Sequence, residues 1–212
     1  MRSILEIGTP ATTTKLTTLE RVKLELSITD SSKDAILNAK IDEAGSDIEA
    51  FLGYRVARET VTETFWQAPV NEAPEYILLE RFPVASITSV TLDDDLLASS
   101  LYRLDANTGI LYKLDDAGLG STWFVSESLV IVYVGGYLLP GESGRNLPFA
   151  IEAAVVDLVQ DFWFAKGRDP SAMEEDIPGV MRIRRWVGAV GAAGELPPSV
   201  TSKLTPFRRI LA

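Results

Sequence analysis

The sequence predicts an α+β protein: a small helical bundle, three main helices plus a short C-terminal helix, with an inserted antiparallel β domain. Three observations carry this prediction. Apolar residues recur at helical spacing over residues 37–51 and again over 151–162. Between those stretches, residues 55–135 are rich in Val, Thr, Ile and Tyr and are broken by turn residues. Of the 212 residues 46% are apolar, the ordinary share for a chain that buries a core.

Residues 1–16 read as an irregular arm, with Gly8, Pro10 and a threonine run at 12–14. Thr17-Thr18-Leu19-Glu20 has the form of a capping box, in which the Thr17 hydroxyl accepts from the amide of residue 20. A short helix follows, with Leu19, Val22 and Leu26 toward one face. Thr29-Asp30-Ser31-Ser32 signals the start of a second helix that runs to about Leu52. Its stripe is Leu37, Ile41, Ala44, Ile48 and Phe51, and Gly53 fits the left-handed position after the last turn.

Strands are expected at Val56–Trp66, Tyr76–Leu79 and Val84–Leu92. The last holds a bulge, because Ile87 and Val90 lie three apart. Asp93-Asp94-Asp95 is a turn. Leu101–Leu104 and Ile110–Leu114 flank Asp105–Gly109, a hairpin connection. Trp123–Val125 and Leu129–Val134 complete the sheet, the latter apolar on both faces and therefore central. Asn146 is then a helix N-cap with Pro148 in the first turn. The third helix runs to about Lys166 on the stripe Ile151, Val155, Leu158, Val159 and Phe162, and Gly167 ends it. Glycines and prolines over 168–199 predict a long irregular excursion before a short helix at Ser199–Leu204. The expected domains are an arm (1–16), a helical core (17–54 with 146–167), the β insertion (55–145) and an extended C-terminal docking tail with its short helix (168–212).

Composition removes much chemistry. There is no cysteine and no histidine. Disulfides, thiolate nucleophiles, Cys/His zinc sites and histidine-based triads are therefore excluded. Lys+Arg number 20 against Asp+Glu 30, a net charge of −10. The charge is divided. Residues 1–180 hold 14 basic and 29 acidic side chains, net −15, and residues 181–212 hold six basic and one acidic, net +5. An acidic body disfavours non-specific DNA binding, and a basic tail suits an acidic partner. Met1-Arg2-Ser3 is not followed by an apolar run, so we expect a protein made without export.

No phosphate-binding or dinucleotide-binding glycine signature is present. Asp93-Asp94-Asp95 can be read as an oxygen-rich Ca²⁺ site or as a solvated hairpin tip, and adjacent strand residues facing opposite ways favour the tip. Paired carboxylates with Trp66 or Trp123 would suit a carboxylate-dependent hydrolase or a carbohydrate-binding module, the alternative reading of the β region. Phe162-Trp163-Phe164 cover more than one face of a helix, so a second surface must take some of them. Arg182, Arg184, Arg185 and Trp186, then Phe207, Arg208 and Arg209, combine Trp, Phe and Arg. That combination suits nucleic acid, a plain exposed segment or a protein anchor, and the acidic body favours the anchor.

The order of several segments resembles the head–tail connector (adaptor) proteins of long-tailed bacteriophages. Leu19–Lys23, Ile28–Asp30, Ile41–Ala44 and Ile48–Gly53 are similar to the family's first two helices. Leu79–Val84, Ile87–Val90, Tyr102–Asp105, Thr108–Leu111 and Val132–Tyr137 resemble its β insertion, and Ile177–Val180, Leu196–Val200 and Leu204–Arg209 its tail. The resemblance implies a structural protein without catalytic residues, cofactor or metal. It implies a ring, commonly of twelve subunits, below the portal in the neck of a virion assembled in the bacterial cytoplasm. The partners implied are the portal and a stopper or tail-completion protein; DNA passes through the lumen without specific binding, and no membrane is involved. Arg182, Arg184, Arg185, Trp186, Phe207, Arg208 and Arg209 are then the expected portal contacts, and Phe162, Trp163 and Phe164 the expected contacts between subunits.

Overall fold

The computed structural model describes residues 3–66, 73–125, 127–165, 174–177, 181–184 and 196–209. Helices and antiparallel sheets make the fold α+β, and the chain divides into two compact units. One unit comprises Met1–Thr14, Tyr54–Leu139 and Ser143–Asn146; the other comprises Lys15–Gly53, Pro140–Glu142 and Leu147–Ala212. Among the described residues, no helix is long and apolar enough to cross a membrane.

The first unit is built on a five-stranded sheet. Its strands are β1 (Ser3–Thr9), β2 (Glu59–Trp66), β4 (Val84–Leu92), β5 (Asp95–Leu96) and β9 (Ser128–Gly135), in the order β1-β2-β9-β4-β5. The seven residues of β1 correct the expectation of an irregular N-terminal arm. Gly8 and Pro10 act as breakers only at its end, and Ser3–Ile7 pairs in register with Phe65–Val61. β9 is central, as its apolar run requires, with β2 and β4 on either side. The bulge expected in β4 is present as two register shifts, at Val84/Ser86 and Ile87/Ser89. Asp93 and Asp94 turn the chain with φ of 48° and 70°, the primed-turn geometry that matches strand twist.

A second sheet holds β3 (Tyr76–Leu78), β6 (Tyr102–Asp105), β7 (Ile110–Leu114) and the short β8 (Gly120–Ser121). β6 and β7 form the hairpin expected around Asp105–Gly109. Trp123–Val125 is not a strand. It is irregular chain that buries Trp123 and Val125 and leaves Phe124 exposed, and the Trp123 indole Nε1 donates to the Leu111 carbonyl at 3.1 Å. The core joins both sheets through Val61, Phe65, Leu79, Val90, Leu111, Trp123, Ile131 and Tyr133.

The second unit contains α1 (Leu19–Glu25), α2 (Asp34–Leu52), α3 (Phe149–Ala165) and α4 (Pro198–Leu204), the last followed by a 3₁₀ turn, Thr205–Phe207. The cap of α1 sits one residue beyond the expected one. Thr18, not Thr17, accepts from the Arg21 amide, at 3.2 Å. Thr17 is buried, and its hydroxyl donates to Glu152 Oε1 at 3.3 Å. Asp30 does not cap α2 either; its carboxylate accepts from the Ser32 amide at 2.8 Å, a local turn that ends before the helix. The α2 stripe is buried at Leu37, Ile41, Ala44 and Ile48, with Leu52 replacing the half-buried Phe51. Gly53 ends α2 at φ 81°, donating to the Glu49 carbonyl.

Asn146 closes a loop instead of capping α3. It accepts from the Leu138 amide at 2.8 Å and donates its own amide to the Leu138 carbonyl at 3.2 Å. The Pro148 carbonyl opens α3, accepting from the Ile151 and Glu152 amides. Residues 168–199 were expected to be irregular, yet they contain an antiparallel hairpin, β10 (Glu174–Ile177) with β11 (Met181–Arg184). The four helices bury Val22, Ile41, Ile48, Val155, Val159, Val200 and Leu204 completely.

Candidate functional site

The segments that carried the family resemblance in the β region converge on one structural knot. Leu79–Val84 crosses the unit as a tight link, with a cis peptide at Phe82-Pro83. Three backbone–backbone hydrogen bonds hold it. The Leu79 amide donates to the Gly109 carbonyl (2.9 Å), the Val84 amide to the Ala106 carbonyl (2.7 Å), and the Gly136 amide to the Pro83 carbonyl (2.9 Å). Gly135 lies so close to this link that a Cβ there would meet the Arg81 carbonyl oxygen at 2.5 Å. These residue types are needed for close backbone approach, not for chemistry.

Beside the knot lies a buried polar cluster. Glu63 occupies a core position of β2, between Val61 and Phe65, and is 1% exposed. Its Oε2 accepts from the Tyr133 hydroxyl at 2.8 Å and from the Glu80 amide at 3.0 Å. The Tyr133 hydroxyl in turn accepts from the Arg81 amide at 3.0 Å. Arg81, also buried, reaches Glu59 and Glu80 at 3.2 Å each. Burial pushes the Glu63 carboxyl above its ordinary value, and the Glu80 amide, Tyr133 hydroxyl and Ser3 hydroxyl draw it part of the way back. Burial likewise raises the Tyr133 phenol, with the Glu63 charge adding to the effect. A perturbed carboxyl can mark a catalytic site. This one is sealed from solvent and its donors satisfy it, so it holds strands together.

A shallow groove of about 400 Å³ lies on the second sheet, lined by Glu75, Arg103, Tyr112, Lys113, Ser121 and Thr122 among others. It contains one carboxylate, where a carboxylate-dependent hydrolase needs two flanking the bond to be cleaved. Trp123, the expected platform, is fully buried, and Trp66 is 42% exposed at the end of β2. The acidic turns are used locally. Asp93 accepts from the Glu127 and Ser128 amides at 2.7 and 3.0 Å, and Asp115 from the Ala117 and Leu119 amides at 2.9 and 2.8 Å. Among the described residues no group of three acidic side chains is placed to hold a metal ion.

The expected docking residues are scattered. Phe162 and Trp163 are half-buried on α3, with the Lys40 ammonium 5.0 Å from the Phe162 ring centre, and Phe164 is 55% exposed. Arg182 and Arg184 lie on β11. Arg185 and Trp186 lie outside the described residues. Phe207, Arg208 and Arg209 follow α4, and their backbone is held to the end of α2 by the Arg209 amide donating to the Leu52 carbonyl at 3.0 Å. The Arg208 guanidinium lies 5.2 Å from the Phe51 ring centre, which also explains why Phe51 departs from the buried stripe. Residues 196–209 are thus part of the helical unit and not a free tail. Sequence reading missed the buried Glu63; its signal was a charged residue at an inward position of the alternation Val61-Thr62-Glu63-Thr64-Phe65.

No curated protein matches the chain by sequence. Among the solved structures that match are three that do so over 99% of this chain and 97% of theirs. They are the neck of an empty GTA particle computed with C6 symmetry (TM-score 0.58, 16% identity), the virion of a native gene transfer agent particle (0.58, 15%) and the neck of a native GTA particle computed with C12 symmetry (0.54, 18%). At such identities they show a shared fold. The head completion protein family matches residues 15–172. That stretch includes all of α1 to α3 and most of the β unit, so the chain belongs to the head completion protein family, the phage connector class that its ordered segments resemble.

Proposed function

We propose that this chain is a structural subunit of a bacteriophage neck, one of a ring of twelve copies seated below the portal. The ring extends the DNA channel and joins the head to the stopper or tail. No catalysis and no cofactor are part of this role. The observation that carries the reading is family membership over residues 15–172, and the near-complete overlap with chains of symmetric GTA necks supports it. In this reading the helices form a small bundle, the body of the ring, and the β unit is an insertion facing the capsid or tail. Phe162, Trp163 and the exposed Phe164 serve contacts between subunits. Arg182, Arg184, Arg185 and Trp186 serve the portal, joined by the exposed Arg208 with Phe207 and Arg209. The net charge of −15 over residues 1–180 suits a lumen through which DNA slides without binding.

Negative-stain imaging of the purified protein, with and without its portal, tests the reading. Rings, or added density at the narrow end of the portal, are expected. A protein that forms no ring and leaves the portal bare refutes it.

A further inference from the structure

The two ends of the five-stranded sheet differ. At one end β5 is two residues long and follows the acidic Asp93-Asp94 turn, so brevity and charge guard that edge. At the other end β1 runs for seven residues. Between Ser3 and Ile7 it carries one charge, Glu6, and neither lysine nor proline. Ile4 and Ile7 are 54% and 52% exposed. Among the described residues no strand pairs with the outer side of β1. Natural sheets rarely leave a long apolar edge unguarded, because it templates pairing with another chain. Its unpaired amides and carbonyls accept one kind of occupant, an extended backbone.

The chain carries a segment of that kind. Among the described residues β10 and β11 form a two-stranded sheet, and a two-stranded hairpin is marginal in water until a third strand or a packed face supports it. Strand β11, Met181-Arg182-Ile183-Arg184, alternates apolar and basic residues, and it opens residues 181–212, net +5 on a chain that is net −15 over residues 1–180. Glu6 on β1 has the complementary charge. Pairing of β1 with the β1 of another copy would be two-fold and would stop at a dimer. An edge and a hairpin are different surfaces, and such contacts close into rings.

We propose that the β10–β11 hairpin of a neighbouring copy adds to the open edge of β1 and extends the sheet from one subunit to the next. This inference rests on the ring reading above. The absence of cysteine makes its test clean. Copies bearing Ile4→Cys or Leu5→Cys are mixed with copies bearing Arg182→Cys or Ile183→Cys and oxidised mildly. A Ser32→Cys copy serves as the control partner. We expect at least about a tenfold excess of mixed disulfide dimer over the control in one of the pairings. No excess in any pairing overturns the proposal. So does a chain carrying both cysteines that cross-links only within itself. Imaging of the same samples separates the two readings: rings without cross-links refute this interface alone, whereas no rings and no cross-links refute both.

Discussion

Leu204 tests whether the C-terminal segment is a tail or part of the core. Its side chain and that of Val200 are completely buried in the helical unit. Leu204→Ala removes three buried carbons, worth about 2.4 kcal/mol at roughly 0.8 kcal/mol each. The cavity left behind adds to this, and Leu→Ala in packed cores costs about 2–5 kcal/mol. We expect a loss of about 3 kcal/mol in the unfolding free energy of the helical unit. Urea unfolding followed by far-UV circular dichroism measures it, with the exposed Ser202→Ala as a control that stays within about 0.5 kcal/mol. A Leu204→Ala protein within about 1 kcal/mol of the parent would mean that α4 is not packed as described. Deleting residues 200–212 would remove both buried side chains and the Lys203 ion pair to Asp157, and so would damage the fold itself. A cut after residue 209 keeps all of them.

Glu63 has a raised carboxyl, so the folded state keeps its proton where the unfolded chain has lost it. Its contribution is fully present below the ordinary value of 4.5 and is lost as pH rises through the higher folded value. Glu63→Gln should therefore gain stability relative to the parent as pH rises from about 4.5 toward neutrality, and parallel pH–stability curves for the two proteins would refute this. Three glycine-to-alanine changes should rank by backbone and space. Gly135→Ala, with its Cβ 2.5 Å from the Arg81 carbonyl, should cost about 1–3 kcal/mol or more. Gly53→Ala meets open space at φ +81° and should cost about 1–2 kcal/mol. Gly120→Ala, with open space and no positive φ, should be nearly neutral. Thermal melts of the three would give the ranking, and an equal loss at Gly120 and Gly135 would refute the close approach.

Local signals were enough to identify the elements whose burial follows from one face. The α2 and α3 stripes, the Gly53 stop, the β6–β7 hairpin and the central place of β9 all follow from periodicity and turn chemistry, which act over a few residues. Partner choice over long separations is not encoded that way. Ser3–Thr9 has only weak strand character, and it becomes β1 because β2 offers a backbone edge more than fifty residues away. Thr17 and Asn146 look like caps, but the buried Thr17 meets Glu152 and the exposed Asn146 closes a loop onto Leu138. The Trp and Arg residues were visible as candidate anchors, whereas the packing of Arg208 on Phe51 depends on the return of the chain to the end of α2. Composition and short-range periodicity are sufficient for the α+β class, the excluded chemistries and the split between an acidic body and a basic end. Long-range packing makes Glu63 a buried tie, puts residues 196–209 in the core and leaves β1 with an outer side that no strand among the described residues pairs. Each of those depends on which distant backbone groups meet, and local propensity does not specify that.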